Sequence, residues 1–145
     1  MNHRNLVDSL VDILDLLRHN ARNVLIERWE KRNSSQAVTP PAFDDKPRGH
    51  EELRSLLPKE DEIPAKLRGY RKFDGTAVLV NAKHIQDLRK QMEAAQQTVD
   101  RYNLALNKAL ATTDRIATEQ QRDEAQDRFN QAVEELADIL AFLYI

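Results

Sequence analysis

The distribution of helix breakers along the chain constrains its fold more than any other feature of the sequence. All five prolines and all three glycines of the 145 residues lie between Pro40 and Gly75, and the segments on either side contain neither. Proline removes a hydrogen bond from a helix interior and glycine weakens a helix, so their absence permits long uninterrupted helices. The sequence therefore predicts two helical flanks around an irregular middle.

The N-terminal flank carries the apolar stripe of one amphipathic helix. From about Asn5 to Arg32, apolar side chains recur at intervals that place them along one helical face. They are Leu6, Leu10, Ile13, Leu14, Leu17, Ala21, Val24 and Leu25. We expect this first helix, of about 28 residues, to pack that face on a hydrophobic core.

The middle of the chain shows no helical periodicity. Residues 33–48 combine serine, proline and paired aspartate, so we expect a flexible or irregular linker within a single domain of residues 1–145. The run EELRSLL at 51–57 is long enough for one or two helical turns. In GYRKFDGTAVLV at 69–80, the Asp74-Gly75 pair between β-prone residues is typical of a two-residue turn, and a small β-hairpin is an option there.

The C-terminal flank has the most regular pattern. After Asn81, a suitable N-cap, apolar residues alternate in steps of three and four, which is the pattern of a helix-hairpin or coiled-coil seam. They are Ile85, Leu88, Met92, Ala95, Val99, Tyr102, Leu106 and Ala109. Threonines and aspartate at 112–114 then favour a turn into a last helix over 114–145, with one helix of more than 60 residues as the alternative.

These patterns predict an all-α fold: a bundle of three long helices, made of a helical hairpin and the N-terminal helix, with the irregular insert between helices one and two. The 22 basic and 24 acidic residues nearly cancel, so no overall charge draws the chain to nucleic acid or to membranes. The sequence has no cysteine, no apolar run of membrane-spanning length and no histidines at metal-ligand spacing. We expect a cytoplasmic protein without cofactor or membrane contact.

Three carboxylates stand in the run EELADILAFL at 134–143. This run resembles the acidic helix motif of the all-α, MazG-like nucleotide pyrophosphohydrolases. The resemblance implies Glu135 and Asp138 as magnesium ligands, with Glu134 beside them. EELRSLL resembles the first acidic helix of that family, and the resemblance would add Glu51 and Glu52.

Helical geometry favours a solvated acidic face instead. Ser55 stands where the family motif has a further glutamate, and more than 75 residues separate the two acidic runs, which is longer than in the family pattern. At about 100° per residue, the carboxylates of the C-terminal run point away from the stripe that contains Leu136 and Leu140. We therefore expect no catalytic and no metal-binding residues, with the magnesium-dependent pyrophosphohydrolase as the alternative.

A basic segment, AKLRGYRKF at 65–73, offers a second alternative. Its cations alternate with two aromatic residues, and basic groups that hold phosphates beside rings that stack on bases are typical of a nucleic-acid surface. The cations are Lys66, Arg68, Arg71 and Lys72. The last helix carries eight acids against three bases from Asp114 to Asp138, so we expect the segment to be solvated or paired within the chain.

The seam and the last two helical turns are the candidate partner interface. The run TEQQRDEAQDR at 118–128 offers little apolar surface to cover the facing seam, and the C-terminal turns are apolar nearly all round. The candidate interface residues are Val99, Tyr102, Leu106, Ile139, Phe142, Tyr144 and Ile145. We predict a non-enzymatic helical interaction protein, an adaptor or inhibitor that binds a protein partner and forms a homodimer or higher oligomer, with a monomeric bundle as the alternative.

Overall fold

The computed structural model describes residues 3–33, 38–108 and 110–145 and is all-α, with no strand in these ranges. The helices are α1 (His3–Asn20), α2 (Arg22–Arg32), α3 (His50–Leu56), α4 (Ile63–Leu67), α5 (Ala82–Leu106) and α6 (Thr112–Phe142). A single 3-10 turn, Pro41–Phe43, lies between α2 and α3. None of the described helices has the length and apolar character needed to cross a membrane.

The first helix ends earlier than the sequence predicts. One continuous helix over 5–32 is wrong, because the backbone leaves the helical conformation at Ala21 (φ −149°, ψ 38°) and α2 starts separately at Arg22. Asn20 lies just before this break, and its side-chain amide donates to the Leu16 carbonyl at 3.0 Å. The chain builds two helices here, so the fold is not a bundle of three long helices.

The described part of the predicted linker, residues 38–48, is irregular and is fastened to α1; residues 34–37 lie outside the described ranges. Phe43 is completely buried. The Arg18 guanidinium donates to the carbonyls of Asp44 and Lys46, the first at 3.1 Å, and to the Asp44 carboxylate at 3.3 Å. A buried arginine thus replaces regular secondary structure in holding this segment on the core.

The turn predicted near residue 75 forms, but the β-hairpin around it does not. Gly75 has a φ of +88°, a conformation that favours glycine, and the Lys72 amide donates to the Thr76 carbonyl at 3.0 Å. Beyond the turn, an isolated bridge joins Arg71 and Ala77, and the described chain continues without a strand on either side. A ribbon this short has too few pairs to be stable as a sheet.

Helices α5 and α6 form the predicted hairpin, which excludes the alternative of one long helix. α5 begins at the predicted N-cap, where the Asn81 side chain accepts a hydrogen bond from the His84 amide at 2.9 Å. α5 ends at Leu106 and α6 begins at Thr112, so the turn precedes its predicted position by a few residues. Arg115 donates to the Leu106 carbonyl at 3.4 Å and so partly caps the end of α5.

The hydrophobic core occupies one end of this hairpin. On α5 the contiguous core ends at Met92, and on α6 it begins at Ala132, with Phe129 packed against it. Helices α1 and α2 pack on these parts of α5 and α6, and α3 packs on α1. We call this unit, residues 3–33, 38–92 and 129–145, the body.

The other end of the hairpin, residues 93–128, is called the arm. Its buried residues, Ala95, Val99 and Ala125, lie outside the contiguous core. In the described part of the chain, the hydrogen bonds and ion pairs of residues 98–128 all stay within the hairpin. At 1.5 Å per residue, the arm extends roughly 20 Å beyond the body.

Candidate functional site

A buried polar cluster joins three parts of the body. The Arg32 guanidinium donates through Nε to Asp138 Oδ1 at 2.8 Å and makes a second bond to Oδ2. The Tyr70 hydroxyl donates to the same Oδ2 at 2.6 Å. Arg32 also donates to the Arg71 carbonyl at 2.7 Å. The cluster therefore ties the end of α2 and the segment around residue 70 to α6.

Burial and hydrogen bonding keep the Tyr70 phenol neutral and the Arg32 guanidinium charged near neutral pH. Desolvation, followed by the hydrogen bond to Asp138, raises the pKa of the Tyr70 phenol far above its usual range. The same carboxylate, through its hydrogen bond, raises the pKa of the Arg32 guanidinium. Neither Tyr70 nor Arg32 releases a proton at neutral pH, so both stay hydrogen-bond donors to Asp138 and link their segments to α6.

Three aromatic rings surround the Arg32 guanidinium. Its Cζ atom lies 4.6 Å from the ring centroid of Phe73, 5.2 Å from that of Tyr70 and 5.3 Å from that of Phe142. The rings of Tyr70 and Phe142 meet edge to face at 5.2 Å. Cation–π contacts of this kind stabilise a desolvated guanidinium by about 0.5–2 kcal/mol. The surroundings of Arg32 thus offset part of its burial cost.

A cleft of about 380 Å³ opens beside the cluster. Four of its charged groups form two pairs: Arg28 donates to Glu134 at 3.1 Å, and Lys72 Nζ lies 3.7 Å from a Glu135 oxygen. Within the described ranges, no three histidine, cysteine, aspartate or glutamate side chains stand together in a way that could hold a metal ion. The cleft presents paired charges, not a cation site.

The three C-terminal carboxylates do not share one solvated face. The prediction that all of them point away from the core is wrong for Asp138, which is only 4% exposed. Arg32 and Tyr70 cover its side of α6, a consequence of tertiary packing that helix geometry alone does not reveal. Glu134 is exposed and Glu135 is half-buried.

The magnesium site implied by the pyrophosphohydrolase resemblance does not assemble in the described residues. Both oxygens of Asp138 are occupied by protein donors. In the other acidic run, Glu52 accepts a hydrogen bond from Arg48 at 2.7 Å, and Glu51 is exposed on α3. Glu135 faces Lys72 rather than a second carboxylate.

The basic segment is partly engaged within the chain. Lys66 donates to the Leu143 carbonyl at 3.2 Å, and Arg71 donates to the Gly75 carbonyl at 3.2 Å. Arg68 is exposed and makes a long contact of 3.5 Å to the Pro64 carbonyl. Lys72 faces Glu135, as expected for pairing with the acidic last helix. Tyr70 is buried and is therefore not available to stack on a base.

The C-terminal turns of α6 pack against the other helices and the middle segment of the body rather than forming an open patch. Ile139 is completely buried, so its assignment to an exposed interface is wrong. Phe142 and Tyr144 are half-buried: Phe142 packs on Tyr70, and the Tyr144 ring meets Phe43 edge to face at 5.1 Å. The sequence pattern did not reveal this burial, because it depends on the packing of the middle segment against this end of α6. Only Ile145 of this group, at 61%, stays largely exposed.

The seam residues of the arm are covered unevenly. Val99 is buried, but Tyr102 and Leu106 are half-buried. The α6 stripe that contains Ala125 continues seven residues earlier at Thr118, which is polar and half-buried. An apolar seam on α5 therefore faces a largely polar one on α6.

A groove of about 500 Å³ lies where α1 ends, at the base of the arm. Its apolar lining includes Leu16, Met92, Phe129 and Val133. Asn20, Arg89, Glu93 and the glutamines at 96 and 97 form a polar rim, in which Arg89 donates to Glu93 at 3.1 Å. The sequence pattern did not reveal this groove. Leu16, an apolar residue beside the predicted stripe of the first helix, was the signal that could have indicated it.

No protein-family model matches this chain, and neither the curated proteins nor the solved structures show a significant similarity to it. The proposals below therefore depend on the chain's own geometry.

Proposed function

We propose that this protein is a non-enzymatic interaction protein whose binding element is the arm, and that it forms a homodimer through that arm. The observation that carries the proposal is the half-open seam. Tyr102 and Leu106 remain half-buried beside a polar α6 stripe, whereas the equivalent seam residues in the body are buried.

The arm lacks the third layer that closes a helical hairpin in a globular protein. In the body, α1 and α2 supply that layer; in the arm, the described chain supplies none. Apolar groups left at the surface of a projecting element usually mark an interface. A second helical hairpin has the shape to cover the half-buried edge of the seam at Tyr102 and Leu106.

The proposal includes an adaptor or inhibitor role toward a protein partner. The body offers a cleft in which Arg28 pairs with Glu134 and Lys72 with Glu135, while the arm offers apolar surface. Such a surface recognises another helical surface through packing of its large apolar side chains. A partner protein would compete with the second copy for the arm.

Sedimentation velocity tests this proposal directly. At high concentration the wild-type protein should sediment as a species of twice the 16.8 kDa chain mass, and it should dissociate on dilution. Tyr102→Arg should sediment as a monomer. The matched control, Leu79→Arg, changes a residue of the body that is 76% exposed and should leave the dimer intact.

Thermal melting by circular dichroism confirms that both variants fold. A wild-type chain that remains monomeric at every concentration contradicts the proposed self-association. A dimer lost in Leu79→Arg but kept in Tyr102→Arg contradicts the role of the arm.

A further inference from the structure

The segment of the body that leads into α5 has the side-chain alternation of a strand. Ala77 and Leu79 are exposed, the latter by 76%, whereas Val80 is buried in the core and Val78 packs partly against it. A strand that lies with one face on a core shows this alternation. No turn or bend interrupts residues 78–81, so the segment continues from the isolated bridge to the start of α5 without changing direction sharply.

The bridge between Arg71 and Ala77 shows which edge of this segment is free. The Lys72 amide donates to the Thr76 carbonyl, so Arg71 and Ala77 form a non-hydrogen-bonded pair, whose main-chain groups point away from each other. On the outer side of Arg71, its carbonyl accepts a hydrogen bond from Arg32. On the opposite side, the N–H and C=O groups of Ala77 face outward, away from the bridge.

Leu79 extends this free edge. Its main-chain groups face the same way as those of Ala77, because their direction alternates along a strand. In the described part of the chain, the main-chain hydrogen bonds stop at Thr76 and resume at Asn81. Proteins commonly protect such an edge with a charge or a proline, and TAVLV at 76–80 contains neither. The edge therefore has the donors, acceptors and β-prone side chains to which a further strand can add.

Positive charges lie at both ends of this edge. Arg71 stands opposite Ala77 across the bridge, Lys83 lies in the first turn of α5, and both cations are exposed. From residue 65 to residue 83 the chain has five cations and one carboxylate, that of Asp74. A strand that adds here thus meets a basic surface at its ends.

Part of this charge is offset within the chain. Lys72 lies 3.7 Å from a Glu135 oxygen, which is the one ion pair that residues 65–83 make with the described part of the chain. Asp74 accepts a hydrogen bond from the amide of the turn at 2.9 Å. The next carboxylate on α5, that of Asp87, follows one turn beyond Lys83. The balance around the edge stays positive, which favours an acidic partner.

We propose that the edge from Ala77 to Leu79 is a docking site, at which an extended segment of a protein partner, apolar in its middle and acidic at its ends, adds as a strand. The main chain of Ala77 and Leu79 binds the backbone of that segment. The Leu79 side chain packs on its apolar residues, and Arg71 and Lys83 attract its acidic ends. The inference goes beyond the proposed self-association, because this edge belongs to the body and not to the arm.

A synthetic peptide with blocked ends, Glu-Val-Thr-Val-Thr-Val-Glu, is the probe for this edge. Isothermal titration should show saturable binding with a dissociation constant on the order of 0.1 mM, and the affinity should decrease with added salt. A control peptide with lysine in place of both glutamates should bind several-fold more weakly. Absence of saturable binding up to about 1 mM, or equal affinity of the two peptides, would overturn the inference.

N-methylation of the peptide tests recognition of the main chain without changing the protein. A methyl group on a peptide amide that faces the edge should weaken binding about tenfold or more, because it removes a hydrogen bond and blocks close approach. A methyl group on the amides in between should have little effect, since these point away from the edge. Losses that do not alternate along the peptide would contradict strand addition.

A matched pair of substitutions at one position tests the same contact from the side of the protein. Ala77→Pro removes the outward N–H and should weaken peptide binding about tenfold, whereas Ala77→Ser keeps the N–H and should bind like the wild type. Thermal melting shows whether both variants fold. Equal binding by two folded variants would overturn the inference.

Amide exchange in the wild-type protein gives a second readout that needs no substitution. Bound peptide should protect the amides of Ala77 and Leu79 more than that of Val78, which points toward the bridge side of the segment. Equal protection of the three amides, or none, would contradict docking at this edge.

Tyr102→Arg separates this inference from the proposed self-association. This variant should lose the dimer and still bind the peptide like the wild type, because Tyr102 lies in the arm. A wild-type chain that is monomeric but binds the peptide would contradict the dimer alone. Self-association that is lost in Ala77→Pro and kept in Tyr102→Arg would identify a second copy as the occupant of the edge and overturn the proposed partner.

Discussion

Helices α5 and α6 run through both the body and the arm, yet within the described ranges only the body is covered by further helices of the chain. From Phe129 to Phe142, α6 has nine apolar residues, whereas from Thr112 to Arg128 it has three. The difference shows in burial: Leu136 is 1% exposed in the body, but Ile116 is 60% exposed in the arm. Helices α5 and α6 therefore extend well beyond the hydrophobic core that they help to form.

Different interactions stabilise the body and the arm. The body combines apolar burial with the buried Arg32–Asp138 pair. The arm depends on the absence of helix breakers and on local side-chain bonds, such as Gln96 to Asp100 at 2.8 Å and Gln126 to Asn130 at 3.1 Å. Local pairs contribute only about 0.2–0.5 kcal/mol each, so a helix with little tertiary packing is marginally stable. The arm should therefore gain more from a partner than the body does.

The largest expected effect breaks the polar cluster of the body. Asp138→Ala leaves the Arg32 guanidinium and the Tyr70 hydroxyl without their shared acceptor, and this should lower the free energy of unfolding by about 3–5 kcal/mol. Glu134→Ala, which removes an exposed partner of Arg28, should cost about 1 kcal/mol or less. Urea denaturation measures both; similar costs would contradict a structural role for the cluster.

A leucine truncation in each region compares the two cores. Leu136→Ala should cost about 2–5 kcal/mol, because Leu136 is buried among body residues. Leu106→Ala should cost clearly less when measured at a concentration where the chain is monomeric, since its side chain is only half-buried. An equal loss from both substitutions would mean that the arm is as tightly packed as the body.

Tyr70 should make the stability of the body depend on pH in the alkaline range. Its pKa in the folded chain is raised above the value of about 10 expected in the unfolded chain. The contribution of the neutral phenol to stability is therefore complete below about pH 10 and decreases as the pH rises further. Tyr70→Phe should cost about 1 kcal/mol at neutral pH and reduce the loss of stability in alkali. An unchanged alkaline slope in this variant would contradict the assignment.

The smallest expected effect strengthens the arm. Thr118 lies on the same α6 stripe as Ala125, facing the seam of α5. Thr118→Leu should raise the free energy of unfolding by roughly 1 kcal/mol, because it adds apolar burial where the seam is polar. The same substitution at exposed Thr113 provides a control that should change little. Destabilisation by Thr118→Leu would show that this seam has no room to close.

The fold could be predicted from the sequence wherever one face of a helix decides the structure. The regular spacing from Ile85 to Leu106 and the cap at Asn81 predicted α5, and the polar interruption at 112–114 predicted the hairpin. The break at Ala21 could not be predicted, because alanine favours helices and the apolar stripe continues across it at Val24 and Leu25.

The polar interior was less accessible to sequence reasoning. Asp138 and Arg32 are of types that are normally exposed, and 106 positions separate them, so no local pattern indicates that they are buried together. The burial of Ile139 likewise depends on elements distant in sequence. The uneven seam of the arm, in contrast, was visible in the polar run at 118–128, because both of its sides belong to neighbouring segments of one hairpin.

Hydrogen exchange measured at several protein concentrations tests the central claim most directly. If the arm is a self-association element, amide protection within 98–106 and 114–125 should increase with concentration, while protection of α1 and of the C-terminal half of α6 stays constant. Protection of the arm that equals that of the body and does not change with concentration would contradict the claim that a second chain completes it.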